Sequence, residues 1–88
     1  MGEGAKTVRV EVRVELKPGI LDAEAESVQK SLGLLGIRSV ARVSMAHVYD
    51  IEFGGIDAVE ARALAERAVD RLLANPVIHK VTIRQDPS

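Results

Sequence analysis

The sequence contains no cysteine and no tryptophan. Without a thiol there can be no disulfide framework, no thiolate metal centre and no Cys nucleophile, and a reducing compartment, the cytoplasm, is the expected location. Aromatic residues are almost missing as well. Tyr49 and Phe53 stand alone, so the core must be built from 12 Val, 11 Ala, 8 Leu and 6 Ile. Charge of one sign is not in excess either: 12 basic residues face 13 acidic ones, for a formal net charge of -1. That balance supplies no cationic field to concentrate nucleic acid or anionic lipid, and neither is an expected partner. No apolar run approaches the roughly 20 residues that span a bilayer. The first 16 residues are interrupted by Glu3, Lys6, Arg9, Glu11, Arg13 and Glu15, where a secretory signal needs an unbroken apolar stretch.

What is present fits one small domain of 88 residues. A chain of this size buries only about 60 to 65% of the surface its unfolded form exposes, which makes self-association a natural source of stability. Residues 1–5 are Gly-rich and aperiodic and read as a leader, 86–88 read as a tail, and 6–85 as the folded unit.

Val8, Val10, Val12, Val14 and Leu16 alternate with Arg9, Glu11, Arg13, Glu15 and Lys17, the period of a strand with one dry and one charged face. Pro18-Gly19 supplies the turn that ends it. Asp22 is placed to cap a helix reaching about Leu35, with an apolar stripe of Leu21, Ala25, Val28, Leu32 and Leu35 and with Gly36 as its left-handed stop. Ile37 to Met45 and His47 to Phe53 read as two strands joined by a short break near Ala46, hence a hairpin. Asp57 begins a second helix with the stripe Ala58, Ala61, Leu64, Ala65, Ala68, Val69 and Leu72, and Arg62 and Glu66 are spaced to pair on its wet side. Asn75-Pro76 terminates that helix, and Val77 to Arg84 forms the last strand with Val81 and Ile83 inward. The order β-α-β-β-α-β predicts an α+β, ferredoxin-like plait with both helices on one face of a four-stranded antiparallel sheet, first and third strands central. Cross-strand ion pairs are expected on the other face.

The fold alone assigns no activity. His47 and His79 are isolated and have no carboxylate at ligand spacing, so no metal site is expected. Tyr49 and Phe53 fall on the core face, not on a surface where bases could stack. Ser27, Ser31, Ser39 and Ser44 lack an adjacent base and a strained Gly-flanked turn. The loop Lys17-Pro18-Gly19-Ile20-Leu21 is apolar where a phosphate-binding loop presents amides. No catalytic residue, cofactor or metal is predicted, and the isolated chain is not expected to catalyse a reaction.

Two stretches carry a likeness. Leu16-Lys17-Pro18-Gly19-Ile20-Leu21-Asp22, continuing through Val28-Gln29-Lys30-Ser31-Leu32 to Leu35-Gly36, and Leu72-Leu73-Ala74-Asn75-Pro76-Val77-Ile78 resemble the PurS family, the small subunits of phosphoribosylformylglycinamidine synthase. The resemblance implies a role in purine biosynthesis. A PurL-type synthetase subunit and a PurQ-type glutaminase subunit would be the partners, and the chain would bridge them without catalytic residues of its own so that ammonia from glutamine reaches formylglycinamide ribonucleotide. The pattern departs in the hairpin. Where the family often has Val-Arg-x-Gly-Lys and then Glu, this chain has Val43-Ser44-Met45-Ala46-His47 and then Asp50, and the missing Gly implies a different turn.

Leu34 and Val59 lie off the buried stripes and are candidates for a partner-docking patch, with Asn75 and Pro76 as further candidate contact residues beside their helix-ending role. A dimer or tetramer is expected, because the segment with Ile37, Val40, Val43 and Met45 carries few charges to discourage pairing at an open sheet edge. The competing reading is a stand-alone dimeric ligand-sensing plait. It calls for a Gly-rich loop after the first strand, where only Gly19 is present.

Overall fold

The computed structural model describes residues 7–86; the expected leader over residues 1–5 and the end of the tail, Pro87 and Ser88, lie outside the described residues. The elements are β1 (Thr7–Leu16), α1 (Ala23–Leu34), β2 (Ala46–Gly54), α2 (Ala58–Ala68), closed by a π-helical turn over Val69–Leu73, and β3 (His79–Asp86). The three strands form one antiparallel sheet in the order β2-β1-β3.

β1 is central because its alternation is the cleanest. Val10, Val12 and Val14 point to one side, where Ala61 and Ala65 of α2 close over them. Two alanines at i and i+4 carry no bulk, so the helix axis can sit near the sheet, and Val8, Ile51, Phe53, Val69, Leu73, Val81 and Ile83 fill the margins. On the other side Arg9 forms a two-point ion pair with Asp50 of the neighbouring strand. Arg62 reaches Glu66 at 3.0 Å, as the i,i+4 spacing predicts.

Local signals in the sequence are obeyed closely. The Asp22 carboxylate accepts from the Ala25 amide at 3.0 Å and the Asp57 carboxylate from Glu60 at 2.8 Å, so each helix has a side-chain N-cap. Gly36 sits at φ +87, and around it the Gly36 amide donates to Gly33 and the Ile37 amide to Leu32. This is the Schellman pattern, and it needs a residue that tolerates positive φ. Lys17 to Ile20 is a turn closed by the Ile20 amide on the Lys17 carbonyl at 3.1 Å, with Gly19 at φ +89 in the third position.

Four expectations are corrected. First, the sheet has three strands among the described residues, and residues 37–45 form no strand and pair with none. A tight hairpin requires positive φ in its turn, and between Gly36 and Gly55 no residue adopts it. With Ser44, Met45, Ala46 and His47 at the supposed corner, no turn forms there and Ala46 already pairs with Glu15. Second, the third predicted strand, here β2, is therefore an edge and only β1 is central. Third, Leu72 is 81% exposed. The Ala74 amide bonds to Val69, five residues back; that wider turn shifts the helix face by one position, and Leu73 takes the inward place. Fourth, β3 starts at His79 rather than Val77, because Asn75 to Ile78 is held in a turn, and it runs on through Asp86.

The α1 stripe is spaced as predicted but not covered. Among its apolar residues only Ala25 is buried, Leu21 and Leu35 are largely exposed, and α1 shares no extended contact with the sheet or with α2. The radius of gyration is 17.4 Å, with extents of 53 × 30 × 16 Å, against about 12 Å for a compact domain of this length.

Candidate functional site

The two stretches singled out in the sequence meet at one end of the sheet. The Lys17 amide, just past β1, donates to the Ile78 carbonyl at 2.9 Å, which ties the Pro18-Gly19 turn to the Asn75–His79 turn. Asn75 organises the second of these completely. Its side-chain oxygen accepts from the Val77 amide at 2.9 Å, its carbonyl accepts from Ile78 and His79 at 3.1 and 2.8 Å, and its own amide donates to Nδ1 of His79 at 2.8 Å. With Nδ1 accepting, a neutral His79 ring carries its proton on Nε2.

The Asn75 side chain is thus a turn-former first. Asn75→Ala removes the bond to Val77 and is expected to cost about 1 kcal/mol, within the range for such local side-chain to backbone bonds. Urea unfolding would show it as a lower midpoint at unchanged slope. Pro76 is exposed beside it.

Next to this junction lies a groove of about 450 Å³ between the 17–22 loop, the first turns of α1 and residues 42–45. Its charged lining is mixed in sign: Glu15, Lys17, Asp22, Glu26, Arg42 and Lys80. No group of three or more metal-ligating side chains occurs among the described residues, and none of those residues is a buried polar or charged one. In the 17–21 loop the Lys17 and Ile20 amides are engaged by the Ile78 and Lys17 carbonyls.

Exposed apolar surface is the feature the molecule has in quantity. Leu34 is 89% exposed and Val59 is 80% exposed, as their off-stripe positions predict, and Leu21, Leu35, Leu72 and Val77 join them. The structure does not gather the four candidate residues into one patch. Asn75 and Pro76 lie where Leu16 and His79 pair. Val59 begins α2 beside Ala58, whose carbonyl accepts from Gln85 toward the opposite end of β3. Leu34 ends α1, where Gln29 and Gly33 line an open surface together with Ile37, Arg38 and Val40. Sequence reasoning missed the bare core face of β2. His47 and Tyr49 share the face of Val14 and Val12 by register, yet both are exposed. The signal for it was the absence of turn residues around Ala46.

Comparison with known proteins gives a consistent result. The family model described as PurS, phosphoribosylformylglycinamidine (FGAM) synthase, matches residues 9–87. The phosphoribosylformylglycinamidine synthase subunit PurS of Archaeoglobus fulgidus is 40% identical over 73 residues, 83% of this chain and 91% of that protein. Among solved structures, Methanocaldococcus jannaschii PurS, described as one of the subunits of formylglycinamide ribonucleotide amidotransferase in the purine biosynthetic pathway, is similar with a TM-score of 0.79. It is 30% identical, and the match covers 92% of this chain and 98% of that one. A PurLQS structure from Thermotoga maritima matches with a TM-score of 0.80 over 92% of this chain and 99% of that one; at 17% identity it speaks to the fold.

Proposed function

This chain belongs to the PurS family of phosphoribosylformylglycinamidine synthase subunits, and on that premise we propose that it is a bridging subunit that performs no bond-making itself. It holds a PurQ-type glutaminase subunit and a PurL-type synthetase subunit in register, in the cytoplasm, so that ammonia from glutamine reaches formylglycinamide ribonucleotide. The chemistry makes register matter. Ammonia released into bulk water is diluted and protonated, and ammonium is no nucleophile, so the two centres must communicate through a path closed to solvent.

The observation that carries this reading is the uncovered apolar surface: Leu21, Leu34, Leu35, Val59, Leu72 and Val77 all face solvent in a chain of 88 residues. Scattered exposed aliphatics are ordinary, but so many in so small a chain, with a whole helix stripe unpacked, mark surface that assembly covers. Self-association as a dimer or tetramer and the completion of a four-stranded, ferredoxin-like sheet belong to the same reading.

The test is assembly from purified parts. Mixed with matched synthetase and glutaminase subunits, the protein is expected to elute with both as one species in size-exclusion chromatography with light scattering. Elution of this chain apart from both subunits, under conditions in which they turn over, would count against the bridging role.

A further inference from the structure

The Asn75–His79 turn is closed by two bonds between the same two residues. The His79 amide donates to the Asn75 carbonyl at 2.8 Å, and in return the Asn75 amide donates to Nδ1 of His79 at 2.8 Å. The second bond is conditional on charge. A neutral imidazole can offer Nδ1 as an acceptor, whereas an imidazolium carries a proton on both ring nitrogens and can only donate. Protonated in place, His79 would set its Nδ1–H against the Asn75 N–H, two donors facing each other at hydrogen-bond distance. Among the described residues no other acceptor meets the Asn75 amide.

Much of this end of the molecule hangs on the turn. The Ile78 carbonyl, inside it, accepts from the Lys17 amide at 2.9 Å, so the turn anchors the loop that leads from β1 into α1. α1 shares no extended contact with the sheet or with α2, which leaves its position dependent on such attachments. Pro76 and Val77, both exposed, ride on the turn itself.

A second position for the ring is close by. On the core face His79 lies opposite Leu16 and His47 opposite Val14, on either side of β1. The two rings line one cavity of about 170 Å³ at the end of the sheet, together with Glu15 of β1 and with Asp22 and Glu24 at the start of α1. Those are the titratable groups that His79 meets there: one further imidazole and three carboxylates. Lys80, next to His79 on β3, is paired opposite Glu15. The Asp22 carboxylate already accepts from the Ala25 amide at 3.0 Å, and Glu15 lies 3.6 Å from Arg13. Glu24 forms no ion pair among the described residues and is the carboxylate open to an imidazolium.

We propose that His79 is a proton-operated latch between β3 and α1. Neutral, it holds the Asn75 amide and keeps the turn closed; protonated, it releases Asn75 and swings into the cavity toward Glu24. Each protonation state has its own partner, so the ring moves between two satisfied positions. The closed turn takes an unprotonated ring, so it is favoured at high pH and is lost as pH falls through the imidazole range. Acid thereby changes how Pro76 and Val77 are presented and where α1 begins. The latch belongs to the single chain, and it stands or falls independently of the bridging role.

Nuclear magnetic resonance of the ¹⁵N-labelled full chain reads both halves of the switch. At about pH 8 the His79 ring is expected to show a bare Nδ1 and a protonated Nε2; a ring with its proton on Nδ1 at that pH would overturn the latch. Amide exchange reads the turn. Corrected for the intrinsic rate at each pH, protection of the Asn75 and Lys17 amides is expected to fall about tenfold between about pH 8 and about pH 5. Equal protection at the two pH values would overturn the latch as well.

Three variants assign the effect. His79→Asn places a side-chain oxygen near the position of Nδ1 and has no proton to gain, so its turn is expected to stay protected at both pH values. His47→Asn, in the same cavity, is expected to keep the wild-type pH dependence. Glu24→Gln is expected to weaken it, because the protonated ring loses its second partner. A fall in protection that survives in His79→Asn, or vanishes in His47→Asn, would assign the titration to another group and refute the latch. A dependence unchanged in Glu24→Gln would refute the swing toward α1, and should His79→Asn fail to fold, this comparison and the ring tautomer still decide.

Discussion

Val12→Asp is expected to leave no stably folded protein at 25 °C. Val12 is fully buried at the centre of the sheet, opposite Tyr49 on one side and Ile83 on the other, under Ala61 and Ala65. No buried polar group stands among the described residues to receive a carboxylate there. An ionised Asp without a partner costs several kcal/mol, and even a protonated one leaves its hydroxyl unsatisfied. A domain this small holds only about 5 kcal/mol in total. Val48→Asp is the control. It is a valine on β2 that is 53% exposed and points to the charged face, and its replacement is expected to cost no more than about 1 kcal/mol. Circular dichroism melts would separate the two: a cooperative transition for Val12→Asp within a few degrees of wild type would mean that the core is elsewhere.

The second large effect concerns the end of α2 and reverses what helical periodicity suggests. Leu73→Ala is expected to destabilise by about 2 kcal/mol, since Leu73 packs against the core and its truncation leaves a void. Leu72→Ala, at a position 81% exposed, is expected to change stability by less than about 0.5 kcal/mol. The cause is the π-helical turn over Val69–Leu73, closed by the Ala74 amide on the Val69 carbonyl. Equal losses in urea unfolding, or a greater loss at Leu72, would show that the helix keeps its α register to the end.

Those two leucines illustrate which parts of the fold were legible. Signals carried by one or two residues were read correctly, because their physics is local: the caps at Asp22 and Asp57, the left-handed Gly36, the turn at Pro18-Gly19, the alternation of Val10, Val12 and Val14. A periodic stripe extrapolates a constant 3.6 residues per turn, so it carried past Val69 into the wrong face, and nothing in Val69-Asp70-Arg71-Leu72-Leu73 announces a wider turn.

The segment after α1 is a different case. Residues 37–45 have the composition of a strand, and strand composition says that a segment will pair without saying with which chain. The information that it does not pair within its own chain lay in the corner, where Met45-Ala46 offers none of the turn chemistry a hairpin needs. Likewise Leu34 and Val59 were rightly placed on exposed faces, but whether two exposed residues form one patch depends on how helices pack, and α1 packs little on its own sheet. Asn75 and Pro76 are clear as a helix stop from sequence alone. The fourfold use of Asn75 as donor and acceptor, with His79 Nδ1 as one partner, depends on the three-dimensional turn and is not legible in the sequence.

If the chain couples two enzymes and performs no chemistry, its effect must depend on the nitrogen source. The most direct measurement is therefore product formation by matched synthetase and glutaminase subunits with and without this protein, once with glutamine and once with ammonia supplied directly. Glutamine-dependent turnover is expected to rise strongly when the protein is added, while ammonia-dependent turnover hardly changes. Glutamine-dependent turnover that is the same in its presence and absence would contradict the bridging role.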